Sequence, residues 1–260
     1  MRLDDLRLSY STKNGGHYVA VQDLDLRIER GSFVALVGPS GCGKSTVLNA
    51  IAGLIRPESG RVQVFGEPLV GLNRHAVYMF QQDSLLPWKT VRGNVGLGLR
   101  LRGRLGPAEH ALIDEWLRRV GLTAFGDAYP SQLSGGMRKR TSIAQTWIVG
   151  PDIVLMDEPL SALDVHTRQL IETELLSIWS TSGTTVVFVT HDLEEAVALA
   201  DRVVVLSAGP ASRVVGMYDV PLERPRDLID LKTDPRFIDT YRRIWQDLRE
   251  EVIRGYGREH

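Results

Sequence analysis

Cysteine is nearly missing from this chain. Cys42 is the only one among 260 residues, so an intrachain disulfide is excluded and a reduced, cytoplasmic setting is expected. Neither sign of charge is in excess. Lys and Arg number 31 against 32 Asp and Glu, a net charge of -1, which excludes a global pull toward nucleic acid or an anionic membrane; partners have to be recognised locally. Long apolar runs are missing too, since no stretch approaches the roughly 20 residues that span a bilayer. The opening MRLDDLRLSY carries acids where a secretory signal needs an apolar stretch. Internal repeats and low-complexity tracts are absent, which excludes a solenoid. What remains is 43% hydrophobic and 24% charged, the profile of a globular protein with a sizeable core.

Two kinds of strand signal are present. Leu24, Leu26 and Ile28 alternate with polar residues, and Val62 and Val64 repeat the pattern after Ser59-Gly60, which predicts half-buried strands in the first third. Ser32 to Val37, Ala76 to Phe80, Ile153 to Met156, Thr185 to Val189 and Val203 to Leu206 are instead short, apolar and β-branched, as strands buried on both faces are. Helical stretches between several of them predict a mostly parallel sheet of α/β type. No such strand occurs from about Asp83 to Gly150, where Pro107 to Val120 has Pro at a first helical position, early acids, late arginines and Gly121 at the stop. The expected organisation is an α/β core with an N-terminal antiparallel β sub-domain over 1–82 and 151–207, a helical sub-domain inserted over 83–150, and an extension over 208–260. That extension holds a helix opened by Asp234-Pro235, with Phe237, Tyr241, Ile244 and Leu248 on one face.

Gly38 to Thr46 reads GPSGCGKST, fitting G-x-x-x-x-G-K-[ST] between a buried strand and a helical run. Gly38, Pro39, Ser40, Gly41, Cys42 and Gly43 then form a loop whose backbone N–H groups turn toward a polyphosphate, aided by the helix dipole. Lys44 reaches the β- and γ-phosphates of ATP, and Ser45 ligates Mg²⁺ beside Thr46. Cys42, among N–H donors next to Lys44, is expected to favour its thiolate and to react with a maleimide. Ligands of open parallel sheets bind beyond the carboxyl ends of the strands, and four polar residues sit there. Asp157 suits Mg²⁺; Glu158 suits a general base for the attacking water; His191 suits a hydrogen bond to the γ-phosphate; Gln81 suits contact with the metal or the water.

A second glycine turn, Leu133 to Met137 (LSGGM), precedes a further helical run. It resembles the signature of the ABC ATPase family, usually LSGGQ, and the other elements follow in that family's order from about residue 2 to 207. Gln81 matches the Q-loop, IVLMDE the Walker B segment, Ser161-Ala162-Leu163-Asp164 the D-loop and His191 the switch histidine. The resemblance implies a P-loop NTPase fold with a RecA-like core. It also implies a head-to-tail pair of copies with ATP held between the phosphate loop of one and Ser134, Gly135 and Gly136 of the other, with Asp164 at the same junction. By the same analogy Tyr10, or less well Tyr18, stacks on adenine.

FQQDSLLPWKTVRGNV, with GPSGCGKST and SGGM, is similar to the nitrate, sulfonate and taurine importer branch. That branch implies an ATPase on the cytoplasmic face of the membrane, a separate integral membrane permease, a substrate-binding protein acting through it, and no nucleic acid. Leu85, Leu86, Pro87 and Trp88 are apolar enough to line a groove for a short permease helix. Gln145, Thr146 and Trp147 depart from the branch, where an Arg and an Ala are common. Three other readings stand beside it. An ABC-type ATPase of DNA repair or chromosome organisation needs long coiled-coil insertions, a translation-associated one needs two cassettes, and a plain P-loop kinase or GTPase needs no LSGGM.

Overall fold

The computed structural model describes residues 1–11, 16–104 and 106–256. In chain order these form β1 (Arg2–Ser11), β2 (His17–Arg27), β3 (Phe33–Val37), α1 (Lys44–Ala52), β4 (Ser59–Val64), β5 (Glu67–Pro68), β6 (Ala76–Met79), α2 (Val91–Val95), α3 (Leu97–Leu101) and α4 (Pro107–Arg119). They continue with α5 (Gly135–Trp147), β7 (Ile153–Asp157), α6 (Val165–Ser180), β8 (Thr185–Val189), α7 (Leu193–Leu199), β9 (Arg202–Leu206), β10 (Val214–Asp219) and α8 (Pro235–Tyr256).

The strands make two sheets, a four-stranded antiparallel one ordered β2-β1-β4-β5 and a six-stranded one ordered β10-β9-β3-β8-β7-β6. In the larger sheet β6, β7, β8, β3 and β9 are parallel and only β10 runs against its neighbour. Four of the five apolar runs have the predicted cause, because β3, β7, β8 and β9 are buried and feed two cores. The Ala76 to Phe80 run departs from it, since β6 is an edge strand, its first three residues are half-buried and Phe80 is exposed. Phe33, Ala35 and Val37 join a core with α6, α7 and α8, whereas Val34 and Leu36 join one with α1 and the antiparallel sheet. Helix α1 is thus sandwiched between the sheets and starts at the carboxyl end of the central strand β3.

Among the described residues no strand lies between β6 and β7. The helices there share the first core through Val91, Val95, Leu99, Ile113, Trp116 and Leu117, so they are welded to the sheet rather than tethered to it. Pro107 stands at the first turn of α4, as its missing N–H allows. In α8 the expected face is the buried one: Phe237, Ile244 and Leu248 are buried and Tyr241 packs beside them. Glu251, also buried, accepts from the Ala208 N–H at 2.8 Å.

Candidate nucleotide site

Between β3 and α1 the chain turns at Gly41 and Gly43, with φ of 72° and 94°, angles that side chains beyond glycine rarely adopt. Gly43 is the N-cap of α1 and offers no side-chain acceptor, so the leading N–H groups of the helix are left for an anion. Lys44 is only 6% exposed. Its ammonium curls over the loop and donates to the carbonyls of Gly38 at 2.8 Å and Pro39 at 3.0 Å. Gly38 has no room for a side chain: a Cβ there would lie 2.7 Å from Cys42 Sγ and 2.9 Å from the Leu206 carbonyl.

Cys42 corrects an expectation. It is 0% exposed, packed in the core under the loop, and burial pushes its thiol pKa up against the smaller opposing pull of Lys44. The desolvation of a thiolate outweighs the nearby positive charge, so the thiolate that the motif alone suggested is disfavoured.

The carboxyl ends of β7 and β8 bring the acid–base groups to the same edge. Asp157 accepts from Ser45 Oγ at 2.8 Å on one oxygen and from the Tyr78 hydroxyl at 3.1 Å on the other. Burial, with the Asp157 charge second, drives the Tyr78 pKa upward, so it stays a donor. Glu158 has a positive φ of 44°, and its N–H donates to the Val189 carbonyl at 2.9 Å. His191 Nδ1 lies 3.1 Å from Glu158 Oε2 and donates to it in the tautomer that protonates Nδ1. Gln81 Nε2 donates to Ser161 Oγ at 3.2 Å, and that hydroxyl donates to the Glu158 carbonyl at 3.0 Å. Gln81, Glu158 and His191, read one by one from strand ends, are therefore joined by hydrogen bonds, while Asp157, next to Glu158 in the chain, is tied instead to Ser45 and Tyr78.

On the opposite side Tyr10 and Tyr18 are paired across β1 and β2, and each is 40% exposed. Both line a cavity of about 270 Å³ that also includes Ser40, Gly41, Gly43, Lys44, Ser45, Thr46 and Glu158. Tyr10 donates to Thr46 Oγ1 at 3.1 Å. Two aromatic faces beside a phosphate-binding turn suit a purine. Hard oxygens converge at Ser45 and Asp157, and Mg²⁺ takes one or two protein ligands plus phosphates and waters, so this pair fits that ion.

The Leu133–Met137 turn stands apart from the cavity, whose lining includes no residue of it. Ser134 is the N-cap of α5, and its hydroxyl accepts from the Met137 N–H at 3.3 Å. Asp164 caps α6 by accepting from the Thr167 N–H at 3.0 Å, and that bond holds its carboxyl below the usual range. The two caps are neighbours, because a Cβ on Gly136 would come within 2.8 Å of Thr167 Cγ2.

Three participants were not singled out from the sequence. Tyr78 was read only as part of a buried strand, although a hydroxyl in so apolar a run was a signal. Ser161 was noted only within the D-loop stretch, and Asp83, which takes two cations from α5, gave no pattern of its own. The apolar groove is also built differently. Trp88 is 71% exposed, yet the cleft of about 380 Å³ on this side is walled by Val77, Phe80, Leu97, Leu101, Gln145 and Val149, with none of Leu85 to Trp88. Thr90 caps α2 and Asn94 binds the Leu86 and Lys89 carbonyls, which ties the Leu85–Trp88 segment to the start of α2.

The pattern of the ABC transporter family matches residues 21–161, from β2 through both glycine turns to Ser161. The chain belongs to the ABC transporter family. It is 43% identical over 242 residues to the uncharacterized ABC transporter ATP-binding protein MJ0412 of Methanocaldococcus jannaschii, covering 93% of this chain and 89% of that one. With the nitrate import ATP-binding protein NrtD of Synechococcus elongatus it shares 41% over 224 residues, 85% of this chain and 82% of that one. A solved dimeric structure of the ATP-binding cassette MJ0796, in a post-hydrolysis state with ADP and Pi, superposes with a TM-score of 0.73 at 31% identity, covering 85% of this chain and 99% of that one. This ABC subunit binds and hydrolyses ATP, and its α/β fold is that of the ABC cassette.

Proposed function

We propose that this chain is the motor of an importer for a small anion, with nitrate, a sulfonate or taurine as the candidate class, working as two head-to-tail copies under a separate membrane permease. The observation that carries the ATPase part is the line Lys44, Ser45, Asp157, Glu158 and His191 along one sheet edge, with Ser134 on a different element. Similarity to NrtD supports the anion class. No described helix is long and apolar enough to cross a membrane, which agrees with a peripheral subunit on the cytoplasmic face. The groove walled by Phe80 and Leu101 is the proposed seat of a short permease helix, and a substrate-binding protein acts through that permease.

In this reading Tyr10 and Tyr18 hold the base while the Gly38–Gly43 N–H groups and Lys44 hold the phosphates; Lys44 exchanges its loop carbonyls for phosphate oxygens. Ser45 and Asp157 would hold Mg²⁺, which would supply positive charge against the phosphates. Glu158 takes the proton of the attacking water, His191 orients Glu158 and binds the γ-phosphate, and Gln81, linked through Ser161 to the Glu158 main-chain carbonyl, senses the metal or the water. The second copy supplies Ser134, Gly135, Gly136 and Asp164. Residues 1–82 with 151–207 serve as the core, 83–150 as the helical body that carries the second half-site, and 208–260 as a C-terminal extension.

Glu158→Gln tests this directly. Nucleotide binding should survive while hydrolysis falls by roughly 10²–10⁴-fold, and ATP should then hold a dimer visible by light scattering that Ser134→Arg removes. Hydrolysis at the wild-type rate would move the base to His191. Stimulation of ATPase activity by nitrate rather than taurine, in the complex reconstituted with its permease and binding protein, decides the anion.

A further inference from the structure

Lys139, in the second turn of α5, has a side chain only 2% exposed and places its ammonium 2.8 Å from Asp83 Oδ1. The same ammonium donates to the Gln81 carbonyl at 3.4 Å. Arg138, one residue earlier, donates from Nε to Asp83 Oδ2 at 3.3 Å and from Nη1 to the Leu133 carbonyl at 2.7 Å. One carboxylate thus takes two cations from α5, and those cations hold the backbone on either side of it. Gln81 belongs to the segment tied to Ser161 and Glu158; Leu133 immediately precedes the N-cap Ser134.

Stability alone is a poor reason for such a pair. Desolvating a lysine and an aspartate offsets most of their attraction, and apolar replacements of similar volume are often neutral or stabilising. What a hydrogen-bonded network anchored by one buried ammonium supplies is a single relative position for the elements it joins. Here those elements are the Gln81 segment, bonded to Ser161 and through it to the Glu158 carbonyl, and the Leu133–Met137 turn that opens α5.

We propose that Asp83, clamped between Lys139 and Arg138, is a positioning residue that sets the distance between the two half-sites of the chain, so that Gln81 and Ser134 engage their separate nucleotides together. This rests on the reading of Gln81 and Ser134 given above and adds the device that couples them.

The test is Asp83→Asn combined with Lys139→Met, which removes both charges and leaves neither one buried alone. The melting temperature and the affinity for a fluorescent ATP analogue should stay at wild-type values, because the phosphate loop is untouched. The kcat for ATP hydrolysis should fall by about 10- to 100-fold, the scale of a misplaced site, with KM little changed, and each single substitution should lower kcat about as far as the pair does. A wild-type kcat overturns the proposal, as does a loss of kcat matched by equal losses of affinity and melting temperature. If the double variant does not fold, Asp83→Glu decides: it keeps the charge but moves the carboxylate by one methylene, so a several-fold lower kcat supports the clamp and an unchanged kcat overturns it. Ser134→Arg, measured in parallel, should not hydrolyse ATP. Normal hydrolysis by Ser134→Arg would sink the site reading and this proposal with it, whereas a wild-type kcat in the Asp83–Lys139 pair beside an inactive Ser134→Arg overturns the clamp alone.

Discussion

The two glycine turns, at the starts of α1 and α5, look alike in sequence and are built on opposite principles. At α1 the glycines are there for backbone angle: Gly41 and Gly43 have positive φ, the N-cap has no side-chain acceptor, and the orphan N–H groups are left open. At α5 the helix is capped by its own Ser134, and Gly135 and Gly136 have no positive φ. There glycine provides space, since a Cβ on Gly136 would press on Thr167 of α6. The first turn needs open donors for phosphate, whereas the second needs close packing of α5 on α6 beside the Ser134 cap. The same residue type meets the two needs through different properties.

The largest way to break this contrast is at the first turn. Lys44→Ala removes the cation that covers the loop, and ATP affinity should fall on the order of 100-fold, the worth of charged hydrogen bonds; unchanged fluorescence titration would move the nucleotide elsewhere. Next comes Gly43→Ala, which forces a side chain to φ 94° and toward Val21 Cγ2 at 2.7 Å. Strain of about 1–3 kcal/mol should appear as a lower melting temperature together with weaker binding. Gly136→Ala sharpens the other half. It should leave nucleotide affinity unchanged and cost about 1–3 kcal/mol through overpacking, and Thr167→Ser, which deletes the offending methyl, should restore both melting temperature and hydrolysis. Failure of that rescue would mean Gly136 is needed for its backbone after all. The smallest stability effect belongs to Ser134→Ala, about 1 kcal/mol for a lost N-cap, read by chemical denaturation. Cys42 should label slowly with maleimide at pH 7 whether or not ATP is present, and quickly once the chain is unfolded in urea.

Much of the α/β core was legible because its strands carry a pattern that only two-sided burial produces: Phe33 to Val37 and Val186 to Val189 are apolar throughout and buried. The phosphate loop was legible for a related reason, since a glycine turn, a lysine and a hydroxyl must be consecutive to wrap one phosphate chain. Glu158 and His191 could be placed on one edge, but not in contact, until β7 and β8 were seen paired in register from Ile153–Thr185 to Asp157–Val189. Tyr78 escaped because its hydroxyl is a tertiary contact hidden in a strand pattern. The low thiol pKa expected at Cys42 is overturned by burial, because the sequence shows which charges are near a thiol and not how much water is.

What the chain's sequence determined by itself is local: turn chemistry, strand and helix periods, the order of the motifs, and through them membership of the ABC family. What only the tertiary structure decided is every relation between segments far apart in sequence, including the Tyr10 and Tyr18 wall, the Ser45–Asp157–Tyr78 triplet, the Gly136–Thr167 contact and the clamp on Asp83. The reason is physical. Backbone angles and periodicity are set by neighbours along the chain, whereas burial and side-chain hydrogen bonds depend on which surfaces meet once the sheets and helices have packed.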